Sequence, residues 1–372
     1  MPEILPTKLP QENNSKNPLE MPSAQSSEGS RTSGVLLINL GTPTAPTVSA
    51  VRRYLLEFLS DPRVIDIFFF LRWILLVFFI LPWRPRRVSR AYRQVWLGSG
   101  SPLAVHSESL RIKLAERLGS EYSVKLAMRY GQPSIERARR AFEREGLDQV
   151  LVLPLYPQYA SSSTGTALER VYREFGRSWN VLPLKVIRDF YNDAGFIESF
   201  LEVGRPLVEA QQPDHVLFSF HGLPERHILK SDPADCENKF CLSSASCCDV
   251  IMPKNTTCYR AQCFESARLI AKGLKLSPKS YSVSFQSRLG RTPWIQPFTD
   301  VVVVDLARSG VKKLVVFSPS FVADCLETVE EIGLRAHQAF TAAGGQELTL
   351  VPSLNGTPRW AQAVADLVEK NL

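Results

Sequence analysis

The sequence is short of several things that would settle its class at once. Of its 372 residues only five are histidine, four are methionine and seven are cysteine. No C-x2-C pair occurs, so the usual signature of a structural zinc ribbon or finger is missing. The first 32 residues are rich in Ser, Pro, Asn, Gln and Glu and lack an apolar h-region. That composition argues against a secretory signal and leads us to expect a disordered tail over residues 1–33. The net charge is +7, but the basic residues are mixed with acids and no nucleic-acid motif accompanies them, so a nucleic-acid partner is not expected.

What is present is unevenly placed. Six of the seven cysteines, Cys236, Cys241, Cys247, Cys248, Cys258 and Cys263, fall within one polar, loop-like segment. Three causes compete: a disulfide staple, a zinc site and a two-iron two-sulfur cluster. Disulfides belong to small secreted domains, and the irregular spacing suits an iron–sulfur cluster better than zinc, although four thiolates would serve either.

The most apolar stretch, IFFFLRWILLVFFILPW at 67–83, contains Arg72 and ends beside Pro82. It is shorter than the roughly 20 residues of a spanning helix. We expect a lip that dips aromatic side chains into one leaflet while Arg84, Arg86, Arg87, Arg90 and Arg93 meet anionic headgroups. A true span and a buried core helix are the alternatives.

From Gly34 onward, short apolar runs alternate with amphipathic segments, the pattern of parallel sheets flanked by helices. Strands are predicted at 34–40, 124–128, 149–156 and 181–187, then at 215–221, 281–287, 313–320 and 347–353. Internal echoes, LINLGTP with FSFHGLP and LPLYPQYASSSTGTALERV with FSPSFVADCLETVEEI, suggest two similar units. The predicted class is therefore α/β, two doubly wound domains with parallel four-stranded sheets at 34–205 and 206–372. Ligands of such sheets bind beyond the carboxyl ends of the strands, so the cleft should be lined by 39–43, 129–133, 157–166, 221–224, 286–294 and 318–331.

His221 closes a predicted strand at that cleft. A core histidine bonded to backbone is the plain alternative. Asp324, Glu327, Glu330 and Glu331 lie at the matching turn, and the spacing of Glu327 and Glu331 puts both on one face of a helix. Carboxylates in a first turn also complement the helix dipole. An imidazole facing several carboxylates suits a divalent cation in transit, or proton transfer.

The motifs LLINLGTP, RRYLLEFLSDPRVID, GSPL, MRYGQPSI, LPLYPQYASSSTG, SFHGLPERH, FQSRLGRTPWIQPFTD, DCLETVEEI and VPSLN stand in this order. In them the chain from Gly34 to Leu372 resembles the ferrochelatases, which insert ferrous iron into a porphyrin at the end of haem synthesis. The resemblance implies two doubly wound domains with porphyrin between them. It implies His221 and Glu327 as catalytic residues that also meet Fe²⁺, and Asp324 and Glu331 as a path for iron or protons. Arg129 and Tyr130 would lie at the pocket floor, with Trp294 in a loop near the porphyrin.

Cys325 stands where animal enzymes of the family carry histidine. Tyr259 to Cys263 matches an ordinary family helix start, so the insert proper is 234–258. Four of Cys236, Cys241, Cys247, Cys248 and Cys258 would then hold a [2Fe-2S] cluster. The apolar lip implies protoporphyrin IX rather than the more carboxylated coproporphyrin III. A cytoplasmic enzyme held peripherally on a membrane surface is expected, with a homodimer left open. Another metal, cobalt or nickel, and a non-catalytic iron–sulfur sensor are the rival readings.

Overall fold

The computed structural model describes residues 33–232, 239–290 and 292–372. Cys236, in the insert, lies outside them, as does the expected 1–33 tail except for its last residue, Ser33, which opens the first strand. The described residues form one compact unit.

All eight predicted strands are present, in two four-stranded sheets. The first comprises β1 (Ser33–Gly41), β2 (Tyr122–Tyr130), β3 (Gln149–Pro154) and β4 (Leu184–Val186), in the order β2-β1-β3-β4. The second comprises β5 (His215–His221), β6 (Tyr281–Gln286), β7 (Lys313–Phe317) and β8 (Glu347–Leu350), in the order β6-β5-β7-β8. Every pairing is parallel. Such strands are covered on both faces and therefore read as nearly unbroken apolar runs.

Alternation along each strand divides the core. Val35 and Leu37 of β1, with Phe218 and Phe220 of β5, join one large cluster containing Phe196, Phe200, Trp360 and Val364. Leu36 and Ile38 face a second cluster with Phe142 and Phe175, and Leu217 faces a third with Val303 and Phe340. One core thus runs between the inner faces of both sheets. The helix Ala194–Gln211 crosses the expected 205/206 boundary without a break, with Gly204 packed against the Phe317 ring.

The expected lip is an α-helical turn, Phe69–Ile74, that continues as a π-helix, Leu75–Ile80. Arg72 is buried, and its Nη1 donates to the carbonyls of Ile65 (3.1 Å) and Ile67 (3.2 Å). The charge that interrupts the apolar run therefore folds the lip back on its own root. Leu76 and Leu81 pack under it with Leu55, Leu59 and Tyr92. Phe68, Phe69, Phe70, Leu71, Trp73, Phe78, Phe79 and Trp83 remain exposed. No helix among the described residues is long and apolar enough to cross a membrane, which sets aside the spanning alternative. The buried-core alternative fails on the exposed side chains.

Candidate active site and cysteine insert

In each sheet the strand order reverses at the central strand, so the carboxyl ends of β1 and β5 are the topological switch points. At the first, Gly41 has φ +111°, and a Cβ there would lie 1.9 Å from the Tyr130 carbonyl oxygen. At the second stands His221. Its backbone N–H donates to Ser320 Oγ across the switch (3.1 Å), and the Tyr259 hydroxyl donates to its carbonyl (2.8 Å). Its Nδ1 lies 2.6 Å from the Gly222 carbonyl oxygen. A carbonyl only accepts, so Nδ1 carries a proton, and in the neutral form of the ring the lone pair lies on Nε2. The core-histidine reading needs an imidazole sealed in the interior, whereas His221 lines an open cavity.

That cavity, of about 980 Å³, also receives Glu327, Glu330, Glu331, Ser287, Trp294, Tyr54, Tyr92, Arg84, Arg87 and Arg90, with Phe79, Ile80 and Trp83 of the lip. The acids come from Leu326–Ala336, which is a π-helix rather than the expected α-helix. Its i→i+5 bonding widens the turn, and π-helical segments are frequent at functional sites. Here Glu327, Glu330, Glu331 and Arg335 all reach the cavity wall. Two of the acids are already paired. Arg335 holds Glu330 at 2.9 Å and Glu331 at 3.6 Å, and the Ser287 hydroxyl donates to Glu331 at 2.5 Å. Ser287 does so from a left-handed backbone (φ 66°), a conformation that costs on the order of 1 kcal/mol outside glycine.

Glu327 has no ion-pair partner among the described residues; its backbone carbonyl takes the Gln286 amide at 2.8 Å. Burial, with Glu327 contributing, pushes the Tyr92 phenol far above its ordinary range. Burial, then the charge of Arg87, lowers Arg84, while Glu327 acts in the opposite sense. The arginines expected at headgroups thus divide, three of them forming a cationic cavity wall.

Other expected residues fall elsewhere. Asp324 is absent from the lining. Its carboxylate accepts from Asn355 Nδ2 (2.8 Å), Thr328 Oγ1 (3.0 Å) and the Ser353 amide (3.2 Å), which braces the turn before the π-helix. Arg129 and Tyr130 lie behind the wall. Arg129 Nη2 (2.6 Å) and the Tyr130 hydroxyl (2.9 Å) both donate to Asp61, as does Thr166. Phe58 covers the Tyr130 ring edge-on at 5.1 Å and itself lines the cavity. Tyr54, Tyr92, Ser287 and the bracing role of Asp61 were not singled out in the sequence. Ser287 does lie in a turn expected at the cleft, but the tyrosines read only as helix-face positions.

In the insert, Cys241, Cys247, Cys248 and Cys258 are buried. The Cys247 and Cys248 sulfurs are 3.7 Å apart, and Cys258 is in hydrogen-bond contact with both Cys248 and Cys241. The contact with Cys241 leads the causes that push the Cys258 thiol up to about 12. Cys263 is buried beneath Tyr259, and Cys325 lies beside Glu327. No group of three or more His, Cys, Asp or Glu is spaced to hold a metal ion among the described residues. The four neighbouring thiols nevertheless have the donor chemistry of a thiolate-held cluster.

Residues 32–372 match the family model described as Ferrochelatase. A ferrochelatase of Coxiella burnetii (strain Dugway 5J108-111) is 48% identical over 340 residues, covering 91% of this chain and 94% of that protein. A ferrochelatase of Legionella pneumophila (strain Corby) is 43% identical over 339 residues, covering 91% and 99%. Among solved structures, SirB from Bacillus subtilis with Fe3+ superposes with a TM-score of 0.53 at 13% identity, over 91% of this chain and 95% of that one. That likeness speaks to fold alone.

Proposed function

The chain belongs to the ferrochelatase family, enzymes that insert ferrous iron into protoporphyrin in haem biosynthesis, and we propose that His221 and Glu327 carry the reaction in this chain. The observation behind this reading is the His221 hydrogen bond to the Gly222 carbonyl. It favours the tautomer whose Nε2 lone pair is available in the cavity that also holds the Glu327 carboxylate, which touches the Cys325 thiol and has no ion-pair partner among the described residues.

Metalation of a porphyrin releases two pyrrole protons as Fe²⁺ enters. Nε2 of His221 accepts one, and Glu327 is the second acceptor and the counter-charge for the arriving iron. Glu331, tied to Ser287 and Arg335, relays protons away. Asp324 holds the π-helix in place rather than meeting iron. Arg129 and Tyr130 are positioning residues behind Phe58. Trp294, whose Nε1 is tied to the Leu289 carbonyl at 2.9 Å, covers the macrocycle. Arg84, Arg87 and Arg90 take its propionates. The halves 34–205 and 206–372 are the two duplicated units around this cavity.

The exposed aromatics of the lip are continuous with Phe79, Ile80 and Trp83 of the cavity wall. This supports a chain that rests on a membrane surface and draws an apolar porphyrin, protoporphyrin IX, directly from lipid. A peripheral cytoplasmic location belongs to the same reading. Cys241, Cys247, Cys248 and Cys258 would hold a [2Fe-2S] cluster. Such a group supplies redox chemistry, which metalation does not use.

The test is anaerobic haem formation from Fe²⁺ and protoporphyrin, with porphyrin binding followed by fluorescence quenching. Glu327→Gln should bind porphyrin as wild type does and form haem at least tenfold more slowly. Unchanged haem formation would sink the assignment.

A further inference from the structure

The helix Tyr259–Gly273 begins directly after Cys258, and its first two residues reach two different sites. Tyr259 donates to the carbonyl of His221. Arg260 turns the other way: its Nη1 lies 3.1 Å from Cys248 Sγ and 4.0 Å from Cys247 Sγ. The guanidinium is fixed by stacking, with its Cζ 4.8 Å from the centroid of the Phe264 ring one turn on. Its neighbour Arg268 also approaches the insert, donating to the Cys248 carbonyl at 2.9 Å, but its charge is taken by Glu265 at 2.5 Å. Arg260 has no carboxylate partner among the described residues. A lone, oriented cation is thus aimed at two buried sulfurs.

We infer that Arg260 is the counter-charge and N–H···S donor of the four-cysteine centre, and that it sets the reduction potential of the cluster held there. The assignment rests on the cluster reading above. A cluster with four thiolate ligands is anionic when oxidised and gains a further negative charge on taking up one electron. A fixed positive charge and a hydrogen bond to a ligating sulfur favour the more negative state, so they raise the potential. Arg260 adds both at the Cys247–Cys248 pair.

The experiment is a spectroelectrochemical titration of the anaerobically purified full chain, with iron and sulfide analysis and the electron-paramagnetic signal of the reduced state. Wild type, Arg260→Gln, Arg260→Lys and Arg268→Gln are compared. Arg260→Gln should keep the fold and become harder to reduce: at a fixed potential its reduced-to-oxidised ratio falls at least tenfold, about 59 mV for one electron. Arg260→Lys keeps the charge but loses the planar fork, so it should fall between Arg260→Gln and wild type. Arg268→Gln should match wild type. If Arg260→Gln cannot hold the cluster, Arg260→Lys decides. A displaced potential, or loss of the cluster from both Arg260 variants while Arg268→Gln keeps it, supports the role. A loaded Arg260 variant with the wild-type potential overturns this assignment alone. Wild-type protein without iron and sulfide overturns the cluster, and this assignment with it.

Discussion

Replacing Phe78 and Phe79 with serine removes two of the most exposed side chains of the lip, 60% and 67% accessible, without touching its buried anchors Leu76, Leu81 and Arg72. If a whole aromatic side chain carries about 200 Å², the pair presents roughly 250 Å² to solvent. At about 25 cal/mol per Å², complete transfer to hydrocarbon is worth roughly 6 kcal/mol. A lip that reaches only the headgroup boundary realises about half of this, roughly 3 kcal/mol or ~150-fold in partition. The assay is flotation with phosphatidylcholine vesicles containing some phosphatidylserine. Wild type should rise with the vesicles, and the double variant should stay largely at the bottom with an unchanged circular dichroism spectrum. Because Arg86 and Arg93, exposed and outside the cavity lining, remain free to attract anionic lipid, removing phosphatidylserine or raising salt should weaken wild-type binding further. A double variant that floats as wild type does would refute the membrane role of the lip.

Three further outcomes follow from the same geometry. Asp61→Asn strands the Arg129 guanidinium, 13% exposed, and should cost about 3–5 kcal/mol, a fall in Tm of roughly 6–20 °C by calorimetry. Burial pushes the Asp61 carboxyl up, but hydrogen bonds from Thr166, the Arg63 amide and Tyr130, with the charge of Arg129, outweigh it and hold it below its ordinary value. The stabilisation is therefore complete above the unfolded value of about 3.9. It is lost as pH falls through the lowered folded value, so the gap between wild type and Asp61→Asn should close below about pH 4; a gap constant with pH would contradict this. Arg84→Ala should raise KM for protoporphyrin by about 10–150-fold, the worth of a hydrogen bond to a charged group, with kcat little changed in steady-state kinetics. Cys248→Ser should abolish the visible absorption of the anaerobic protein, whereas Cys263→Ser should leave it unchanged.

The strands were legible because parallel strands buried on both faces can only be written as apolar runs, and GVLLINL and HVLFSFH have no other plausible home. His221 was legible for a related reason: it ends such a run, and the carboxyl end of a central strand is where an open sheet exposes side chains. The acids were legible as a group but not as individuals. Asp324, Glu327 and Glu331 stand within eight residues of one another, yet Asn355 and Thr328 hydrogen-bond the first, Arg335 and Ser287 hold the third, and Glu327 faces the cavity with no ion-pair partner among the described residues. Thr328 and Arg335 lie one turn along the same stretch, but Asn355 and Ser287 come from other segments, which spacing does not reveal. Hydrogen-bond register also escapes a periodicity argument, so Leu326–Ala336 read as an α-helix when it is π-helical. The arginines after the lip looked like a headgroup patch because their sequence neighbours are apolar. The helix Arg84–Val95 instead turns Arg84, Arg87 and Arg90 onto the cavity, a placement set by the packing of Tyr92 and Val95 beneath the lip.

The most direct measurement is single-turnover metalation of protoporphyrin by His221→Ala, followed as the porphyrin bands convert to those of haem after rapid anaerobic mixing with Fe²⁺. With porphyrin binding intact, removing a general base should slow the metalation step by about 10²–10⁴-fold. Conversion at the wild-type rate would contradict the account, because it would mean that the pyrrole protons leave without the Nε2 lone pair.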